Sequence, residues 1–94
     1  MKYYDKGRNR IFNSDTGKLV KCVMDVEELG DGYTRNSMRK VMFKNEEDGY
    51  FLYVYRVTVD RFCKIFDVQE YIVPVSKEWM RGFRRSTPDI WPEG

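Results

Sequence analysis

The sequence contains no histidine and only two cysteines among its 94 residues. Without histidine, the chain lacks the commonest general base, the usual activator of serine and cysteine nucleophiles, and the main side-chain ligand for zinc. Two thiols cannot supply the four Cys or His ligands of an ordinary structural zinc site. These absences predict a protein that is not an enzyme and that holds neither a metal nor a cofactor.

The two cysteines, Cys22 and Cys63, are 41 positions apart. Small secreted domains of this length usually carry four or more cysteines, which are joined in disulfides. The N-terminal segment lacks the apolar core of a secretion signal, and no apolar run approaches 18 residues. The sequence therefore predicts free thiols, a cytoplasmic location and no association with a membrane.

Leucine is scarce, with three residues, whereas aromatic residues make up 16% of the chain. A core built mainly from Phe, Tyr and Trp favours strands over helices. The length suits a single domain over residues 1–94. We predict a mainly β (β-rich α+β) fold, a twisted antiparallel meander or small barrel of five to six strands with one C-terminal helix. The alternative is an α+β fold with helices at Val20–Leu29 and Asp60–Phe66.

The strongest strand signal is Tyr50–Val59, ten aromatic and aliphatic residues with a single charge, Arg56. Because side chains alternate along a strand, one face of this segment is apolar throughout, while the other turns polar at Arg56. We expect a central strand that pairs with Met38–Lys44 in a hairpin. The connection ends in Asp48-Gly49, where glycine supplies the positive φ of a tight turn.

Further strands are predicted on both sides of this hairpin. Arg10–Phe12 and Lys18–Val20 flank a turn at Asn13–Gly17 and predict a first hairpin. Leu19–Val26 fits both a helical and a strand period, and we favour a strand because it continues that hairpin without a break. After the central strand, two short strands are predicted at Arg61–Phe66 and Gln69–Val75, divided near Asp67.

The predicted C-terminal helix covers Ser76–Arg85, because Ser76 suits the N-cap and Glu78 lies in the first turn, where the helix dipole favours an acid. Its apolar side chains share one face and its basic side chains share the opposite face. The apolar set is Trp79, Met80 and Phe83, and the basic set is Lys77, Arg81, Arg84 and Arg85. The tail at 87–94 is expected either to dock on the domain or to remain a partner-binding peptide.

The net charge of +2 comes from 17 basic and 15 acidic residues, which is too balanced for a surface that binds polyanions everywhere. Charge is nevertheless concentrated in blocks, acidic at 25–31, basic at 35–44 and acidic at 46–48. We expect the acidic blocks to be solvated loops and the basic block to be a solvated loop and strand edge. The first acidic block contains the carboxylates that a Mg²⁺ ion would need, although a solvated loop explains them better.

The sequence favours a non-enzymatic interaction module that binds and modulates a protein partner, one form of which is an inhibitor of a nucleic-acid-processing assembly. Tyr, Trp and Arg are the side chains that most often anchor protein interfaces. The alternative is direct binding of single-stranded or structured nucleic acid through basic and aromatic residues. The candidate contacts are Arg35, Arg39, Lys40, Arg56, Lys77, Arg81, Arg84 and Arg85, with Tyr33, Tyr50 and Trp91 as aromatic contacts.

Overall fold

The computed structural model describes residues 1–45, 47 and 49–85, and these residues form six strands and one helix. The elements are β1 (Lys2–Asp5), β2 (Arg10–Asn13), β3 (Lys18–Gly30), β4 (Tyr33–Phe43), β5 (Tyr50–Val59), β6 (Ile65–Val75) and α1 (Lys77–Arg85). Asp48 of the predicted turn and the whole predicted tail, with Trp91, lie outside the described residues. Gly49 has the positive φ that the turn requires, at 79°.

The predicted mainly β fold is confirmed, with antiparallel strands and one short C-terminal helix. Strands β3, β4, β5 and β6 form a four-stranded sheet in chain order, and β1 and β2 form a separate pair. The sheet does not close into a barrel, so the open meander is the arrangement that forms. Two strands, β3 and β6, therefore remain as edges of the larger sheet.

The first half of β5 is buried on both faces, but by different parts of the chain. On one face, Leu52 and Val54 pack with Met80 and Phe83 of α1. On the other, Phe51 packs against the β1-β2 hairpin, where its ring centroid lies 4.7 Å from that of Phe12. The central strand is thus confirmed. Its two apolar surfaces belong to two cores separated by the sheet.

The first predicted hairpin is wrong in its pairing. Asn13–Gly17 does form a turn, in which the N–H of Gly17 donates to the carbonyl oxygen of Asn13 at 3.0 Å. However, β2 pairs with β1, and Phe12 lies opposite Tyr3. The turn connects β2, which lies over one face of the larger sheet, to β3 within that sheet. In this arrangement Phe12 is fully buried against Phe51. Burial of Phe12 therefore decides the pairing of β2, and turn chemistry does not reveal it.

The strand predicted at Leu19–Val26 is confirmed, and it extends to Gly30. The helix considered for Val20–Leu29 does not form. Strand β3 continues straight into β4 through Asp31 and Gly32, which both have positive φ, at 54° and 83°. The long β3-β4 hairpin that results contains nearly all of the charged blocks.

The segment after β5 differs from both predictions for it. Asp60–Lys64 is a tight connection, in which the Asp60 carboxylate accepts the N–H groups of Phe62 at 2.8 Å and Lys64 at 3.0 Å. These bonds replace the helix considered there and most of the strand predicted at Arg61–Phe66. The chain then forms one continuous strand, β6, which Asp67 does not divide.

Helix α1 begins as predicted, since the hydroxyl of Ser76 accepts the N–H of Trp79 at 3.0 Å. Met80 and Phe83 are buried, and the ring of Trp79 stacks on that of Phe83. At the other end, the ammonium of Lys21 donates to the carbonyl oxygens of Phe83 and Arg84 at 3.0 and 3.1 Å. A cation at this end suits the helix dipole and fixes α1 against β3.

Candidate functional site

The acidic block at 25–31 and the basic block at 35–44 lie opposite each other on β3 and β4, so solvated loops do not form there, whereas the strand predicted from Met38 is confirmed. Arg35 is the register partner of Glu27, and its guanidinium lies 2.5 Å from the Glu27 carboxylate. Arg39 reaches Asp25 at 2.7 Å. The turn at Gly30–Gly32 aligns the two blocks so that opposite charges meet across the strands. We call this side of the sheet, which α1 partly covers, the charged face.

Arg39 is the most deeply buried of the predicted binding residues, with 1% of its side chain exposed. Its guanidinium carbon lies 5.8 Å from the centroid of the Phe83 ring, so the cation sits under α1. A buried cation needs nearby acceptors, and Asp25 supplies one of them. The structure therefore gives Arg39 a place inside the domain, between the sheet and the helix.

The remaining predicted basic residues are divided among three surfaces. Arg35 and the half-buried Arg56 lie on the charged face, whereas Lys40 lies on the opposite side of the sheet, beside its register partner Tyr53. The basic side chains of α1 are exposed on the side of the helix that faces away from the core. No single patch unites them.

Three arginines of α1 nevertheless form a local cluster. Arg81, Arg84 and Arg85 line a shallow recess of about 350 Å³. None of them makes an ion pair with another described residue. The recess is therefore a concentration of positive charge at the exposed end of the helix.

The predicted aromatic contacts Tyr33 and Tyr50 are both half-buried. The ring of Tyr33 lies 4.9 Å from that of Phe66, and the ring of Tyr50 lies 5.2 Å from that of Phe43. Each ring thus already has an aromatic neighbour. Tyr50 also packs against the core beneath α1.

One exposed apolar surface of the sheet was not predicted from the sequence. On the side of the sheet opposite α1, the β1-β2 hairpin covers Phe51, but apolar side chains continue beyond the reach of the hairpin. We call this surface the open apolar face. Its members are Met24, Val26, Met38, Tyr55, Val57 and Val68. Three of them are notably exposed, Met24 at 76%, Val26 at 71% and Val68 at 47%.

The register of the strands places these side chains on one continuous surface. Met24 is opposite Met38, which is opposite Tyr55, and these three form one row across the sheet. The next row contains Val57, which is opposite Val68 on β6 and is connected through Asn36 to Val26 on β3.

Polar side chains lie along part of the border of the open apolar face. Glu70 lies at its β6 side, Glu28 at its far end and Lys40 beside the hairpin. The hydroxyl of Tyr53 donates to the Glu70 carboxylate at 2.5 Å. Burial, and then this hydrogen bond, raise the pKa of Tyr53 well above its usual range. Tyr53 therefore remains a neutral donor that fixes Glu70 at the border.

The hydrogen bond of Tyr53 predicts a pH-dependent contribution to stability. Replacing Tyr53 by Phe is expected to lower the free energy of unfolding at neutral pH by about 1 kcal/mol. Because the pKa is raised on folding, this contribution is present below the pKa of an unfolded tyrosine, about 10, and is lost above it. Between pH 8 and pH 11, the free energy of unfolding measured by urea denaturation should thus fall more steeply for the wild type than for Tyr53→Phe. Equal slopes for the two proteins would contradict the assignment.

A second concave region lies between the β1-β2 turn and the start of α1. It has a volume of about 630 Å³, and its lining includes Arg8, Arg10, Glu47 and Lys77. Arg10 is held by Asp5 at 2.9 Å. The charges of this cleft are thus partly neutralised by neighbouring acids. Over the described part of the chain, no group of three or more Cys, Asp or Glu side chains is arranged to bind a metal ion.

The described elements define an open antiparallel sheet with a hairpin on one face and a helix on the other. The end of the sheet that neither element covers is exposed. No family model matches the chain, and no match was found among curated proteins or solved structures. Within the described residues, no helix has the length and apolar character needed to cross a bilayer.

Proposed function

We propose that this protein is a non-enzymatic interaction module that binds a protein partner through the open apolar face. The observation that carries the proposal is the exposure of Met24, Val26 and Val68 on one surface with Tyr55 and Val57. An exposed apolar surface of this kind is costly to leave in water, and it is typical of a protein-binding site. Met and Tyr are also enriched at the centres of protein interfaces.

The charges around the open apolar face favour a protein over a nucleic acid as its partner. Glu28 and Glu70 lie on its border, and Lys40 is the single cation that the strand register places there. A phosphate backbone would be repelled by the two carboxylates and would find one cation in return. A protein surface with apolar side chains and a few basic residues complements this face.

The support beneath the open apolar face also suits binding. Tyr55 and Val57 lie on β5, which has a strand partner on each side, and Met38 lies on β4, which is likewise internal to the sheet. Side chains on internal strands are held in place before binding, so little conformational entropy is lost on association. This property supports a preformed binding surface.

The proposal predicts that a negative charge placed on the open apolar face abolishes partner binding. The variant is Val68→Glu, and its matched control is Gln69→Glu, which adds the same charge at the next residue, on the opposite side of β6. Protein captured from nuclease-treated lysate by the tagged wild type should fall at least about tenfold with Val68→Glu. Gln69→Glu should retain it. Quantitative mass spectrometry gives the measurement, and circular dichroism checks that both variants fold.

Equal capture by the two variants would contradict binding through this face. Direct nucleic-acid binding is the second candidate function, and the arginine recess of α1 is the observation that favours it. It requires oligonucleotide affinity that falls steeply with salt and that is lost when Arg81, Arg84 and Arg85 are replaced by Gln. If Val68→Glu leaves that affinity intact and no protein is captured, the second function replaces the first.

Both surfaces together suit a partner within a nucleic-acid-processing assembly. The open apolar face and α1 lie on opposite sides of the sheet. One side would contact the protein, while Arg81, Arg84 and Arg85 would reach phosphates or acidic side chains near it. Proteins of nucleic-acid-processing assemblies are therefore the first partners to test for inhibition by this protein.

A further inference from the structure

The outer edge of β3 is a long backbone surface with no strand beside it among the described residues. Between two register irregularities, at Leu19/Lys21 and at Glu28/Gly30, its pairing with β4 is regular. In this stretch the outward-pointing N–H and C=O groups lack a strand partner. The most exposed apolar side chains of the open apolar face, Met24 and Val26, lie on this edge.

The other edge of the sheet is less suited to pairing. Strand β6 contains Pro74, which has no N–H to donate. Strand β1 also packs near β6. Edge pairing is therefore expected at β3.

We propose that β3 pairs in antiparallel fashion with β3 of a second copy of the chain, around a two-fold axis at Met24. The two four-stranded sheets then form one continuous sheet of eight strands. The axis is perpendicular to the sheet, so the open apolar faces of both copies lie on the same side. Self-association of this kind is measured without any other protein, and it does not rest on the proposed function.

Most side chains of β3 between Lys21 and Glu27 are complementary in this register. On the open apolar side, Met24 meets Met24 of the second copy, and Cys22 lies opposite Val26 of the second copy. On the charged side, Lys21 lies opposite Glu27 of the second copy. On the open apolar side, apolar side chains thus meet across the new pair, and on the charged side Lys21 and Glu27 bring opposite charges together, as stable cross-strand pairs require. The one unmatched position is Val23, which lies opposite Asp25 of the second copy.

Other registers are poorer. In a symmetric antiparallel pair, the two-fold axis passes between the two copies of one residue of β3, and shifting the register moves it to a neighbouring residue. In every such register, each side chain lies opposite a side chain on the same side of the sheet. An axis at Asp25 brings two carboxylates directly opposite each other. With an axis at Val23, regular pairing extends only from Lys21 to Asp25. The next residue, Val26, would lie opposite Val20, where the register of β3 is irregular. The axis at Met24 uses the regular stretch from Lys21 to Glu27.

Cross-linking tests both the dimer and its register. In a Cys63→Ser background, Val26→Cys places the new thiol directly opposite Cys22 of the second copy, within the Cα separation of a disulfide. Mild oxidation with diamide should give a covalent dimer on a non-reducing gel. The matched control carries Cys22→Ser as well. Its thiols are four residues out of register, so its covalent dimer should be at least about tenfold less abundant.

Sedimentation equilibrium of the unmodified protein measures the association itself. The mass should rise with concentration from 11.3 kDa toward twice that value. Met24→Lys should shift the protein to monomer, since it puts two like charges on the axis and Met24 is too exposed to matter for folding.

Three outcomes would overturn the inference. A wild type that stays monomeric at millimolar concentration would exclude the dimer. Equal cross-linking by the control would exclude the register at Met24. Growth beyond a dimer would indicate that β3 of one copy meets β6 of the next, because head-to-tail pairing does not close.

Discussion

Replacing Phe51 by alanine is expected to lower the free energy of unfolding by about 3–5 kcal/mol. Phe51 is fully buried on β5, and its ring stacks on Phe12 in a cluster that also holds Met42 and Ile72. The substitution opens a cavity on the side of the sheet where only a short hairpin provides cover. A domain of this size has a total stability of about 5–10 kcal/mol, so the loss is a large fraction of it.

The substitution should also weaken the docking of the β1-β2 hairpin. Gly17 illustrates how closely this region is packed, since a Cβ at that position would lie 2.9 Å from Cζ of Phe51. Urea denaturation followed by circular dichroism measures the loss of stability, and hydrogen exchange at Tyr3 and Phe12 measures the docking. Both amides should exchange faster in the variant.

The matched control for this prediction is Tyr55→Ala. Tyr55 lies on the same strand and the same face as Phe51, but beyond the hairpin, and it is half-buried. Its replacement should cost about 1–2 kcal/mol. If both variants lose the same stability, the division of this face into a covered half and an open half is wrong.

This division also marks the limit of what the sequence predicted. Residues 50–59 were identified as a strand because their composition and alternation leave no other interpretation. The same alternation places Met24 and Val26 on one side of β3, and in an ordinary sheet that side would be covered. It remains open because β1 and β2 have four residues each, whereas β3 has thirteen. The length of a covering element relative to the sheet is a tertiary property that periodicity does not contain.

The pairing of β2 and the charged blocks were missed for a related reason. Turn residues at Asn13–Gly17 predict a reversal of the chain but not the sheet to which each strand belongs. Charges at 25–31 and 35–44 resemble loops when each block is considered alone. Once Gly30–Gly32 folds the chain back, Glu27 faces Arg35 and Arg39 reaches Asp25, so charge that argued against strands instead stabilises them. Helix α1 was predicted well because its N-cap and apolar positions are local signals.

The second large effect is expected at the ion pair of Asp25 with Arg39. Asp25→Asn should lower the free energy of unfolding by about 2–3 kcal/mol, because it removes the carboxylate 2.7 Å from a guanidinium that is 1% exposed. The estimate is at the low end for a buried pair, since Asp25 keeps a third of its side chain in contact with water. Arg39→Met should cost less, about 1 kcal/mol, because it removes the buried charge and retains an apolar chain beneath Phe83.

The double variant Asp25→Asn/Arg39→Met separates a structural role of Arg39 from the binding role predicted from the sequence. Because no buried cation remains to need Asp25, the double variant should be more stable than Asp25→Asn alone, as measured by urea denaturation. Arg39→Met should also retain the captured partner that Val68→Glu loses, since Arg39 lies beneath α1 and the open apolar face lies on the other side of the sheet. If Arg39→Met folds but captures no partner, Arg39 takes part in binding and the structural assignment is wrong. If Arg39→Met retains the partner and Val68→Glu loses it, the partner is bound by the apolar side chains of the open apolar face. The charge pattern of the sequence did not indicate these side chains.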